Sequence, residues 1–328
     1  MKQALWVTVG IILSVAALTA AALLGGVMGF LAGAAGGMAG GGVSPGPERP
    51  ISGDGPNKIA IVRIVGPITR EGAGFSVFAS GAASRAVVQL LDRAMRDGAV
   101  KAVILELDTP GGSVVASDEV HQKVTALRRA GKHVVALMTQ TAASGGYYIA
   151  AAAEQIVADP TTVTGSIGVI VALPNLEDLS HKIGIRTIIF KSGAFKDLGN
   201  PNRPMTPQEG AIFQRLVDEA YARFVTIVAQ GRKMDRAKVL ALADGRIYTG
   251  QQAMQAGLVD AMGHLPEAVD AAMKLAGLTQ ARVVEYGGEG LLRSLLGGTA
   301  NRVRGWLWTP ADLYPGLREP FSVQYLMI

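Results

Sequence analysis

The sequence predicts an α/β fold with a largely parallel sheet, and three observations carry that expectation. Compact β-branched runs recur at Lys58–Val65, Lys101–Asp108 and His133–Thr139. Stretches of helical periodicity stand between them, at Ala83–Arg96 and Val115–Ala130. Glycine-bearing turns punctuate the changes, notably Gly66-Pro67, Asp97-Gly98 and Thr109-Pro-Gly-Gly-Ser113. Strands that alternate with helices return by crossovers, which favours parallel pairing. A chain of 328 residues has room for one large domain or two modest ones.

The N-terminus reads differently. Ala4 to Leu24 is uncharged and apolar, follows Lys2, and no charge appears before Glu48. That length suffices to cross a bilayer as a helix. It exceeds the apolar core of about 7–15 residues of a cleavable signal peptide. A retained anchor within residues 1–34 is therefore the expectation, although the small residues Ala20-Ala-Ala22 leave cleavage open. Lys2 alone supplies a positive-inside signal, pointing to a cytoplasmic N-terminus, a single pass through the cell membrane and an extracytoplasmic bulk. Residues 35–57, rich in Gly and Pro, read as a flexible tether that includes the Gly36–Gly42 run.

A folded domain is expected over residues 58–286. Beyond the elements already named, it should contain a short helix at Glu177–Ile183 and a strand at Arg186–Lys191. A long amphipathic helix follows at Thr206–Gln230, with Pro207 and Glu209 near its start. Shorter helices follow at Asp235–Ala243, Thr249–Ala256 and Leu265–Ala276. Residues 287–328 change composition and mix apolar with basic residues, as in Val303-Arg-Gly-Trp-Leu-Trp308. Their pattern fits an interfacial helix, an oligomer contact or ordinary packing.

Composition excludes some chemistry. The chain has no cysteine, hence no disulfide and no thiol nucleophile. Its net charge of +5 comes without a Lys/Arg block interleaved with aromatics, which fits nucleic acid poorly and an anionic membrane surface better. No His-Glu-x-x-His, Walker loop or Gly-x-Gly-x-x-Gly after a strand occurs, so neither a metal nor a nucleotide cofactor is expected.

The stretch that organises the domain is Gln140-Thr-Ala-Ala-Ser-Gly-Gly-Tyr-Tyr148. It places Ser144 where a strand becomes a helix, a corner that can present a hydroxyl beside free N–H groups. It is not the Gly-x-Ser-x-Gly elbow, because Ala142 takes the place of a glycine. A serine here is often only a helix cap with a tight turn. The four histidines lie at 121, 133, 181 and 264, and none falls between Gly145 and Ser180, which argues against a Ser-His-Asp triad. Lys196 sits in a polar loop, where a lysine is ordinarily a solvated charge. Burial beside Ser144 would disfavour its ammonium form and make it a general base.

Four motifs in order strengthen the chemical reading: Asp108-x-Pro-Gly-Gly112, Ala142-Ala-Ser-Gly-Gly-Tyr-Tyr148, Thr164-Gly-Ser-Ile-Gly-Val169 and Lys191-Ser-Gly-x-x-Lys-Asp197. Together they resemble the signal peptide peptidase A (SppA) family of serine–lysine proteases, in its short, single-repeat, membrane-anchored form. The likeness runs from about Lys58 to Leu278 and includes Gly245-Arg-Ile-Tyr-Thr-Gly250 and Ala256-Gly-Leu-Val-Asp260. The resemblance implies a fold like Clp proteases and crotonases, built of ββα units. It implies Ser144 as nucleophile, Lys196 as general base and Ser166 as the hydroxyl orienting the lysine. Gly111 and the Gly145 N–H would form the oxyanion hole, with Gly112 a near neighbour of lower weight. It further implies signal peptides and other extended apolar segments as substrates. Assembly into a ring or dome is implied too, an octamer among the candidates, with sites shared between neighbouring subunits. The competing classes are a crotonase-like acyl-coenzyme A enzyme and an inactive membrane scaffold of the same fold.

Overall fold

A computed structural model describes residues 48–70 and 81–287, and the backbone of residues 324–326. The expected anchor, most of the tether and most of the tail lie outside the described residues. Among the described residues, no helix is long and apolar enough to cross a membrane.

The elements follow in chain order. Strands β1 (Arg49–Ser52), β2 (Lys58–Val65), β3 (Ile68–Thr69) and β4 (Ala82–Ala83) precede helix α1 (Ser84–Arg96). Next come β5 (Val100–Thr109), β6 (Gly111–Ser113), α2 (Val114–Arg129), β7 (His133–Ala143) and α3 (Gly145–Ala150). Strands β8 (Gln155–Ala158) and β9 (Val163–Gly165) lead to α4 (Glu177–Lys182), α5 (Pro207–Gly231) and α6 (Arg236–Leu242). The domain closes with β10 (Ile247–Thr249), α7 (Gly250–Ala256), β11 (Ala261–Met262), α8 (Leu265–Leu275) and β12 (Arg282–Tyr286). A last strand, β13, spans Gln324–Leu326.

The main sheet runs β1-β12-β2-β5-β7-β8-β11, with β9 also on β7 and β10 on β9. The spine from β12 to β11 is parallel throughout. Only the β1–β12 and β10–β9 pairs in this sheet are antiparallel. The pleat sorts side chains by parity. Ala60, Val62 and Ile64 of β2, with Val103, Leu105 and Leu107 of β5, join one buried cluster with the α1, α2, α3 and α5 faces. Their alternates, Ile59, Ile61, Ala102 and Ile104, join a second cluster beneath Ala268 and Ala272 of α8. A sheet covered on both faces explains why its strands read as continuous apolar runs.

Two expectations need correction. Arg186–Lys191 is not a strand. Every residue in it is exposed, and among the described residues no neighbouring strand is there to take its backbone hydrogen bonds. Conversely, Arg49–Ser52, read as tether, is an edge strand whose Arg49 Nε donates to Glu285 Oε2 at 3.0 Å. Its partner β12 was not expected at all.

A second sheet of four short strands, β13-β6-β3-β4, carries the glycine loop after β5. Within it β13 lies antiparallel to β6, Tyr325 opposite Gly112 and Leu326 opposite Gly111.

Candidate active site

β7 delivers Ser144 from the centre of the main sheet. Its backbone turns at φ 52° and ψ −112° between the strand and α3. A non-glycine residue holds such a conformation at a cost of about 1–3 kcal/mol, and only where its surroundings enforce it. Here they do. Ser144 N donates to Gly165 O at 2.8 Å, and Ser144 O accepts from Tyr148 N at 2.9 Å. Tyr147 Oη donates to Leu258 O at 2.9 Å and Tyr148 Oη to Asp118 Oδ1 at 2.6 Å, which pins α3 in place.

The side chain is not spent on local structure. Ser144 makes no capping bond to α3, so the simple-cap reading is excluded. The residue is fully buried, and its Oγ has no hydrogen-bond partner among the described residues. An unmade bond of this kind costs about 1–3 kcal/mol, and such groups in native proteins call for a reason.

The glycines gather around it. A methyl group on Gly145 would lie 3.3 Å from Gly111 Cα, 3.3 Å from Gly112 N and 2.5 Å from Ser117 Oγ. One on Gly146 would lie 2.7 Å from Thr109 Cγ2. The Pro-Gly-Gly loop and the Ser-Gly-Gly corner thus pack closely, and a side chain on Gly145 or Gly146 would meet Ser117 Oγ or Thr109 Cγ2. Gly111 and Gly112 both take positive φ, at 101° and 155°. Gly111 N already donates to Thr109 Oγ1 at 3.1 Å.

Ser166 is buried and lies next to Gly165, the residue bonded to Ser144 N. It too has positive φ, at 49°, and its N donates to Arg246 O at 2.8 Å.

Lys196 is elsewhere in kind. It is exposed, in a turn closed by its own N–H donating to Gly193 O at 3.1 Å. Among the described residues no lysine bonds to Ser144 Oγ, because that oxygen has no hydrogen-bond partner there. The turn is held by charge. Asp197 accepts from Lys191 Nζ at 2.7 Å and from Arg203 Nε at 3.0 Å. Arg203 Nη1 in turn reaches Glu209 Oε2 at 2.8 Å. The Arg203 guanidinium, with the Thr206 N–H, holds the buried Glu209 carboxyl down to about 2. Around this turn, no residue from 171 to 206 is buried, and Ile188 and Phe190 are 79% and 96% exposed.

Among the described residues, a groove of about 670 Å³ between α2 and α5 includes neither Ser144 nor its neighbours. It is lined by His121, Arg128, Arg223 and Arg236 among others. Sequence reasoning missed Thr109 and Ser117. Both sit in apolar or helical runs where a hydroxyl is an ordinary filler, and only their contacts mark them.

Comparison with known proteins identifies a peptidase family. The model of peptidase family S49 matches residues 126–279, a span that includes Ser144, Ser166 and Lys196 and begins after Gly111. A candidate protease of Synechocystis sp. is 41% identical over 69% of this chain and 77% of its own length. A candidate signal peptide peptidase SppA of Enterococcus faecium is 41% identical over 66% of this chain. Protease 4 of Haemophilus influenzae is 37% identical over 70% of this chain. The chain spans 62% of the Enterococcus protein and 37% of Protease 4. With a sheet that presents Ser144 against the Gly111 loop, and a relative this similar over most of its length, the chain belongs to peptidase family S49.

Proposed function

We propose that this chain is a serine endopeptidase in which Ser144 attacks the peptide carbonyl and Lys196 serves as general base. The observation that carries the reading is Ser144 itself: a strained, buried serine whose hydroxyl neither caps its helix nor bonds to any described residue. In this mechanism the neutral amine of Lys196 takes the Ser144 proton as Oγ bonds to the carbonyl carbon. The amine then returns the proton to the leaving nitrogen, and water hydrolyses the acyl-enzyme. Ser166 orients the lysine, and the Gly145 N–H holds the oxyanion with the Gly111 loop.

Lys196 is supplied by a neighbouring copy in a homo-oligomeric ring or dome. Two features support this. The residue stands on a segment with no buried position, and that segment carries exposed Ile183, Ile185, Ile188 and Phe190. Apolar patches of that kind mark association surfaces. Covering them would dehydrate the amine and favour its neutral form. Residues 1–34 anchor the chain in the cell membrane with the peptidase domain outside the cytoplasm. Substrates are released signal peptides and other extended apolar segments. The antiparallel β13 on β6 supports this preference, since the edge beside Gly111 accepts an extended backbone.

The test is covalent labelling by a fluorophosphonate together with cleavage of an apolar fluorogenic peptide. Label on Ser144, and loss of at least about 10⁴-fold in kcat on Ser144→Ala with the fold intact, are expected. Full cleavage by that variant, or tight coenzyme A binding without labelling, contradicts the reading.

A further inference from the structure

We propose that the groove between α2 and α5 is a binding site for a phosphomonoester, carried by a soluble molecule or by the headgroup of a lipid. The inference stands apart from the peptidase reading, because no residue lining the groove belongs to the Ser144 site. The groove holds about 670 Å³, within the size range of small-molecule sites. Four arginines line it: Arg128 and Arg129 end α2, Arg223 comes from α5 and Arg236 opens α6. Among the described residues, neither Asp nor Glu lines it.

Two of these cations are neutralised by the chain and two are not. Arg223 Nη2 pairs with Asp118 Oδ1 at 2.6 Å, and its Nε donates to Tyr148 Oη at 3.1 Å. Arg128 Nη1 donates to Ala152 O at 2.8 Å, and its Nε lies 3.7 Å from Glu154 Oε1. Arg236 Nη1 donates to a neutral oxygen, Thr226 Oγ1, at 3.0 Å. Among the described residues, neither Arg236 nor Arg129 pairs with a carboxylate. The helix dipole accounts for Arg129, in the last turn of α2, but not for Arg236, because a cation at the first position of a helix opposes it. His121 lines the same groove, and its buried Nδ1 has no partner among the described residues. Such atoms call for a reason. The chain thus leaves both charge and hydrogen-bonding capacity unused along one groove. A phosphomonoester dianion balances two surplus charges with a single group, where a carboxylate balances one, and guanidinium forks match its oxygens in pairs. Ala151, Ala152 and Ile227 give the rest of the ligand an apolar stretch.

Calorimetric titration of the full chain in neutral detergent tests the site and separates the two sources. Glycerol phosphate is the soluble probe, and dihexanoyl phosphatidic acid, the same headgroup with acyl chains, is the lipid probe. Binding of at least one of them at about 1 mM or tighter is expected. Arg129→Gln with Arg236→Gln should weaken it by at least about 10-fold, a modest figure because exposed charges are screened by salt. A preference for phosphatidic acid that disappears in this variant assigns a lipid headgroup, and its absence assigns a soluble ester. Both arginines are exposed, so the fold should survive. Should it not, Arg129→Lys with Arg236→Lys keeps the charge, loses the fork and still weakens binding by about threefold or more. No binding of either probe, or binding unchanged in the variant, overturns the site. So does succinate that binds as tightly as glycerol phosphate, since any anion would then suffice. A changed sedimentation coefficient in the variant also overturns it, because a neighbouring copy would then fill the groove. A wild type that binds the probe yet never cleaves peptide leaves this site standing and contradicts the peptidase reading alone.

Discussion

The two halves of the candidate site are built in opposite ways. The Ser144 half packs within one chain: β5 and β7 are buried at most positions, and α3 has no exposed residue. The Lys196 half, from 171 to 206, buries nothing and displays isoleucine and phenylalanine to solvent. Both are locally ordered by defined bonds, the first by sheet and tyrosine contacts, the second by the Asp197–Arg203–Glu209 charges. Local order and burial are therefore separate achievements. A segment held by ion pairs yet carrying exposed apolar side chains has the composition of an interface core surrounded by a polar frame.

The largest way to break the comparison is to spoil the exposed half alone. Ile188→Asp with Phe190→Asp is expected to weaken assembly by about 30-fold or more, on a hot-spot scale of ~2 kcal/mol. Peptide cleavage falls with it, while Tm measured below the assembly concentration stays unchanged. Sedimentation velocity alongside a cleavage assay checks both. Unchanged mass and activity would return Ile188 and Phe190 to ordinary surface.

A pH-dependent effect sharpens the buried half. Burial pushes the His121 imidazole down to about 4, and its ring stacks edge-on against Tyr148, four residues after Ser144. The unfolded chain, with histidine near its ordinary 6.5, binds that proton more readily. His121 therefore contributes its full stability above pH 6.5 and loses it as pH falls toward 4. His121→Phe should flatten the denaturation midpoint across that window, sparing about 3 kcal/mol between its ends relative to wild type. Parallel curves for the two proteins would show that the imidazole charges freely in the fold.

Much of the buried half was legible in the sequence, for a physical reason. Strands covered on both faces must be apolar at both parities, so β2, β5 and β7 stood out as β-branched runs. The Pro-Gly-Gly and Ser-Gly-Gly corners were legible because side chains on Gly145 and Gly146 would run into Ser117 and Thr109. The strands added beyond β2 were not. β1 contains Pro50, and β12 is a five-residue run whose two adjacent valines lie between Arg282 and Glu285, so neither has the core signature. The opposite error came at Arg186–Lys191, where Ile188-Ile189-Phe190 has strand composition but no strand among the described residues beside it. β propensity reports a wish for a half-buried surface, and the described residues do not provide one here. Ser117 was illegible because a serine after alanine in an amphipathic helix carries no pattern.

The central claim is that one copy's Ser144 works with another copy's Lys196, and mixing two dead variants tests it most directly. Ser144→Ala and Lys196→Ala are each expected to be inactive alone, the latter by about 10²–10⁴-fold. Co-assembled in equal amounts, they regenerate sites with an intact serine from one copy and an intact lysine from its neighbour, and peptide cleavage returns to a sizeable fraction of wild type. A mixture that forms mixed oligomers yet stays as inactive as its parts would contradict the shared site.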